Sequence, residues 1–117
     1  MTSLLEFSKL SAERLYNLYV VELDKSVAKK KKFLVENPQY DPKKPMLYVG
    51  MSALKPKQRF KQHKTGYKAN LLAQRYGKRL VPKIHKQYAP MPFEQAKKME
   101  ATLAQQLRSS GHAVWQR

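Results

Sequence analysis

The sequence predicts an α+β fold: a small sheet of about three short strands flanked by helices, in one domain over residues 1–117. Three observations carry that expectation. Two runs rich in aromatic and β-branched residues, 16–23 and 46–49, read as strands. A long amphipathic pattern over 93–109 reads as a helix. The segments between are punctuated by Pro and Gly, and a hydrophobic content of 42% suffices for one modest core.

Along the chain, residues 11–15 suggest a short helical turn leading into the first strand, 16–23 (YNLYVVEL). Residues 24–45 form a basic insertion between the first two strands. It holds the run Lys29 to Lys32 and the turn signals Asn37-Pro38, Asp41-Pro42 and Pro45, so one short helix followed by a turn-rich loop is expected. The second strand, 46–49 (MLYV), is expected to end at Gly50. Two short strands separated by a long excursion suit a pair in one sheet. Pro56 fits the first turn of a helix, where its missing N–H costs nothing, and that helix runs to about Lys64 with a stop near Gly66. Residues 69–76 read as a further helix with Gly77 as its stop. Residues 80–88 are ambiguous: Val81 and Ile84 favour a strand, Pro82 an edge or a loop. The helix 93–109 buries a stripe of Ala96, Met99, Leu103 and Leu107 and is closed by Gly111. Val114 and Trp115 offer a last apolar anchor on a final short strand.

Charge is the strongest compositional signal. Lys and Arg total 24 against 8 Asp and Glu, a formal balance of +16. No acid lies between Asp41 and Glu94, a window that carries 13 basic residues. Such charge destabilises a small compact chain by self-repulsion, and a polyanion relieves it with release of counterions. A merely solvated basic surface is the alternative. A membrane surface is disfavoured, because no long amphipathic helix carries an exposed aromatic face. The absence of cysteine excludes disulfides, thiolate metal sites and cysteine nucleophiles. No run approaches the roughly 18 apolar residues of a membrane span. Residues 1–10 are too polar for a signal peptide, so a cytoplasmic location is expected.

Three features bear on chemistry. Tyr19 and Tyr48 sit on the two strands, where tyrosines ordinarily pack and keep a wet hydroxyl. Arg59 and His63, at i and i+4, share one face of the helix after Gly50. Arginine can grip a phosphate with its fork of donors, and histidine can exchange a proton or bind a metal; a solvated helix face is the plainer reading. Glu100 borders the apolar stripe of the last helix, where it needs a partner. Lys97 could supply a helix salt bridge, or the carboxylate could hold Mg²⁺.

Taken in order, Asn17-Leu18-Tyr19, Tyr48-Val49-Gly50, the segment from Met51 and Ser52 to Arg59 and His63, and Phe93 through Glu100 resemble the GIY-YIG nuclease superfamily. The resemblance spans residues 16–115. It implies a central antiparallel sheet flanked by helices, and a metal-dependent endonuclease that hydrolyses DNA phosphodiester bonds. Tyr19, Tyr48, Arg59 and His63 would then be catalytic, and Glu100 would hold Mg²⁺ or Mn²⁺. Gly50 and Ser52 would allow close approach of the nucleic-acid backbone. Lys55, Lys57, Lys61, Lys64 and Lys68 would hold phosphates of DNA, branched or damaged DNA included. Asn17 and Leu18 depart from the first motif's glycine and isoleucine, and Tyr19 and Tyr48 lie 29 residues apart, longer than usual for the family. The family often carries an asparagine after the glutamate; here His112 is the nearest polar stand-in. These departures keep open a catalytically inactive DNA-binding module of the same fold. A basic RNA-binding protein, using Tyr67, Tyr76 and Tyr88 to stack on unpaired bases, also stays open.

Overall fold

The structure, a computed structural model, describes residues 14–66 and 70–116. Its centre is an antiparallel pair. Strand β1 (Leu15–Leu23) lies against β2 (Met46–Ser52) in unbroken register from Asn17↔Ser52 to Leu23↔Met46. Asn17, where the resemblance would place glycine, is therefore ordinary extended backbone. The second strand does not end at Gly50 as expected; pairing with β1 carries it on to Ser52.

The sheet has five strands, more than the three expected, in the order β3-β1-β2-β5 with β4 pairing the start of β1. It is mixed rather than purely antiparallel. Strands β3 (Gly77–Leu80) and β4 (Met91–Pro92) run antiparallel to β1, whereas β5 (Ala113–Gln116) runs parallel to β2. The two extra strands have four and two residues, too few for side-chain alternation to show in the sequence.

Alternation along β1 and β2 sorts side chains to two faces, and both faces are covered. Leu18, Val20, Leu47, Val49 and Val114 pack under the long helix with Ala96, Leu103 and Ala104. Tyr19, Val21, Leu23, Met46 and Tyr48 pack on the other face with Val27, Phe33 and Ala73. This double burial explains why residues 18–21 read as a continuous apolar run.

The helices, in chain order after a short 3-10 helix (Lys25–Lys29), are α1 (Lys31–Val35), α2 (Pro56–Thr65), α3 (Leu71–Tyr76), α4 (Pro82–His85) and α5 (Phe93–Ser109). Helix α2 closes at Gly66 in the left-handed region (φ 89), as expected of a C-terminal stop. Gly77 also follows a helix, but with extended φ −65 it opens β3 instead. The ambiguous 80–88 segment becomes a turn of helix because Pro82 occupies a first-turn position. Of the expected helical turn at 11–15, residues 11–13 lie outside the described residues and Leu15 already belongs to β1, where pairing with β4 extends the strand; the start of a helix at Ala69 also lies outside them. No described helix is long and apolar enough to cross a membrane.

Two buried polar side chains finish the sheet. The insertion is a cover rather than a loose excursion: Val27 and Phe33 enter the core, and Asn37, 1% exposed, acts as a strand partner for β5. Asn37 Oδ1 accepts the Val114 N–H (2.8 Å) and its Nδ2 donates to the Val114 carbonyl (3.1 Å) and to Phe33 (2.7 Å). Arg108 Nε donates to Asn37 Oδ1 at 3.2 Å. On β1, the Val20 N–H donates to Nδ1 of His85 (3.0 Å), while the Val20 carbonyl accepts from Val81 N–H at 2.8 Å. Burial holds the His85 pKa below the ordinary imidazole value of 6.5.

Both residues generate stability predictions. Asn37→Ala orphans the Val114 N–H, while the Val114 carbonyl keeps Arg108 Nη2 at 3.1 Å, and should cost about 1–3 kcal/mol in urea denaturation. For His85, the depressed folded pKa means that the unfolded chain binds the proton more readily. Its stabilisation is complete above an unfolded value of about 6.5 and is lost as pH falls through the lower folded value. Denaturation midpoints should therefore drop between pH 7.5 and pH 5. His85→Gln, whose side-chain oxygen can accept the Val20 N–H without titrating, should show a smaller drop.

Candidate active site

The site forms where β5 runs out. Its register with β2 stops at Val49↔Gln116, three residues short of Ser52. A cleft of about 520 Å³ opens there and takes side chains from both faces of the sheet. Tyr19, Tyr48 and Arg59 reach it from β1, β2 and α2, and Lys97, Glu100 and Gln116 from α5 and β5. Four of the expected site residues, separated by up to 81 positions in the chain, thus line one hollow.

Gly50 makes this convergence sterically feasible, in a different way from that expected. It lies directly across from Tyr19 in the strand register. A Cβ at position 50 would sit 2.6 Å from both Cζ and Oη of Tyr19. The space left by the absent side chain is filled by the tyrosine ring, not held for an approaching nucleic-acid backbone. Ser52 does not line the cleft; its Oγ accepts the Leu54 N–H (3.1 Å) and shapes the turn into α2. Asn17 secures the same turn through Nδ2 to the Leu54 carbonyl (3.1 Å).

His63 lies behind the cleft and is fully buried. Its Nε2 is 2.8 Å from the Tyr19 hydroxyl, and its Nδ1 accepts the Asn70 backbone N–H at 3.2 Å. A lone pair on Nδ1 puts the ring proton of the neutral imidazole on Nε2. His63 in this state therefore donates to the Tyr19 hydroxyl and holds it in place. The Asn70 side chain caps α3 through Leu72 N–H and Ala73 N–H (3.0 and 3.3 Å), so the histidine, the cap and the helix are joined. The rings of Tyr19, Tyr48 and His63 pack with centroids 5.7–6.0 Å apart.

Burial raises the Tyr19 pKa well above the ordinary phenol value, and the neighbouring Tyr48 adds to the rise. The charge and hydrogen bond of Arg59 act in the opposite direction but do not prevail. The Arg59 cation beside Tyr19 is therefore outweighed by desolvation. Arg59 is itself oriented by Nη1 donation to Gln62 Oε1 (2.9 Å).

Glu100 is 7% exposed, and its Oε1 accepts from Gln116 Nε2 at 3.1 Å. Gln116 is the carboxamide that inspection of the sequence missed. It lies two residues beyond Val114 on the same face of β5, and that alternation was the available signal. His112, the expected stand-in, turns instead to the Pro45 carbonyl (3.0 Å) and does not line the cleft. Tyr16 and the exposed Phe93, edge to face at 5.3 Å, also border the cleft and had carried no signal. No group of three or more His, Cys, Asp or Glu side chains able to hold a metal occurs among the described residues. One carboxylate beside an amide suits a largely hydrated Mg²⁺ or Mn²⁺ that shares a substrate phosphate, and does not suit an all-protein zinc cage.

The lysines divide. Lys55, Lys57 and Lys61 are exposed at and along α2. Lys64 is committed to the fold, with Nζ donating to the carbonyls of Gln74 (3.0 Å) and Gly77 (2.9 Å). Lys68 and Tyr67 lie outside the described residues. Tyr76 and Tyr88 pack against opposite faces of the sheet, so they do not share one stacking surface. Comparisons with protein-family models, curated proteins and solved structures give no match.

Gly50→Ala should push the Tyr19 ring off His63. A loss of about 1–3 kcal/mol is expected in chemical denaturation, together with a changed tyrosine near-ultraviolet signal. Unchanged stability and spectrum would show that the ring does not rest on Gly50.

Proposed function

We propose that the protein is a divalent-metal-dependent endonuclease of the GIY-YIG kind, acting on DNA phosphodiester bonds in the cytoplasm. The observation that carries this reading is one cleft, in a chain of net charge +16, lined by Tyr19, Tyr48, Arg59 and the nearly buried Glu100. Gln116 on Glu100 favours a working site over an inert binding module, because it supplies the polar group that His112 does not.

Arg59 is assigned to the phosphate, where its fork of donors neutralises charge that builds during in-line displacement. Glu100 would hold the divalent cation, which would supply Lewis-acid charge stabilisation to the reacting phosphate. Gln116 fixes the carboxylate by occupying one of its oxygens. Tyr19 and Tyr48 orient the attacking water. Removal of that water's proton by Tyr19 requires its phenolate, which burial opposes and which donation from His63 and Arg59 supports. Lys55, Lys57 and Lys61 hold the strand by its phosphates and add position without sequence information.

Two measurements test the assignment on a labelled DNA substrate. Glu100→Gln should abolish Mg²⁺-dependent cleavage by at least about a hundredfold while DNA affinity stays within a few-fold; undiminished cleavage would remove the glutamate from the site. The cleavage rate should rise steadily with pH from 7 to 9, because the small phenolate fraction grows with pH below the raised Tyr19 pKa, and Tyr19→Phe should be slower and flatter across that range. An identical pH profile in the variant would strip Tyr19 of its part in proton transfer.

A further inference from the structure

A second cleft, of about 340 Å³, opens on the face of the sheet that carries Phe33 and shares no lining residue with the first. Its wall is aromatic. Phe33 stacks on Trp115 with centroids 6.2 Å apart and planes at 27°, and Tyr76 lies beside them. Its rim is cationic, formed by the exposed side chains of Lys30, Lys32 and Arg75. Lys32 Nζ sits 5.6 Å from the centroid of the Trp115 ring. No acidic residue lines this cleft.

These features select one kind of occupant. A free phosphate has no use for the ring wall, an acidic peptide has no need of a flat stacking surface, and a duplex keeps its base faces hidden. An unpaired nucleotide uses both parts: its base stacks on the indole and its phosphates meet the rim. Lys32 is a flexible cation already resting on the ring, so an arriving base displaces it onto the adjoining phosphate.

We infer that this cleft takes one unpaired base of a nucleic-acid strand, stacked on Trp115, with the flanking phosphates on Lys30, Lys32 and Arg75. The inference deepens the nuclease reading and rests on its premise that the protein acts on nucleic acid. It also narrows the substrate. Trp115 and Gln116 are consecutive on β5, an edge strand of the sheet, so their side chains alternate in direction and line different clefts. A flexible single strand can pass round that strand from one cleft to the other, and a stiff duplex cannot. DNA with an unpaired arm is the substrate class this arrangement fits.

Trp115 is the only tryptophan, so its fluorescence reports on this cleft alone. The wild-type chain is titrated in EDTA with single-stranded oligothymidylate, with an abasic strand of equal length, and with a blunt duplex. Oligothymidylate should quench the emission and bind roughly tenfold more tightly than the abasic strand, which should leave it unchanged. Trp115→Leu should lose that tenfold for oligothymidylate and keep its abasic affinity. If that variant fails to fold, Arg75→Ala should weaken both single strands while the wild-type quenching stands. Equal quenching by the abasic strand, quenching by duplex alone, or displacement of oligothymidylate by polyglutamate at matched charge would overturn the proposal. No cleavage enters the measurement. Nicking without quenching sinks only this subsite, and quenching without nicking sinks only the enzymatic reading.

Discussion

The contact between Tyr19 and His63, made over the bare backbone of Gly50, holds the site together. Each partner is fixed by a different level of structure. The β1–β2 register sets Tyr19 across from Gly50, the missing Cβ lets the ring lie over that position, and α2 delivers His63 to its hydroxyl. The Asn70 N–H then orients the imidazole and links it to the cap of α3. A change at any of these points reaches the cleft through a buried network whose members gain from being satisfied together.

Electrostatics gives the same cleft its character. Glu100 is nearly buried in a strongly basic chain, and Arg59 and Lys97 line the hollow with it. Tyr19 is kept protonated by burial and drawn the other way by Arg59, so its proton responds to whatever charge enters beside it. That balance, and not a preformed base, is what the fold supplies. In the proposed reading, the surrounding lysines would concentrate a polyanion near the hollow without dictating its sequence.

Much of the fold was legible from residue pattern. The two central strands, α2 with its Pro56 start and Gly66 stop, and the long α5 with its apolar stripe all carry strong periodic or punctuating signals. The parts that were not legible are short or decided by tertiary contacts. Strand β3 is a polar GKRL segment that pairs because β1 offers an edge, and β5 is parallel because α5 packs across the sheet before it. In the site, Tyr19, Tyr48, Arg59 and Glu100 could be named from their order in the chain. Asn37, Asn70 and His85 could not, since a lone polar residue near an apolar run carries no mark of the distant group it satisfies, and the alternation that places Gln116 beside Val114 does not name Glu100 as its partner. Gly50 was singled out for the wrong reason: that a ring occupies its vacant side is visible only in three dimensions.

The central claim is that the hollow between Tyr19, Arg59 and Glu100 performs phosphodiester hydrolysis with a divalent cation. It is tested most directly by incubating the intact protein with supercoiled plasmid in Mg²⁺, in Mn²⁺ and in EDTA. Conversion to nicked circles with either metal and none in EDTA is the predicted result. Plasmid that stays supercoiled under every condition, or nicks equally in EDTA, would contradict the account.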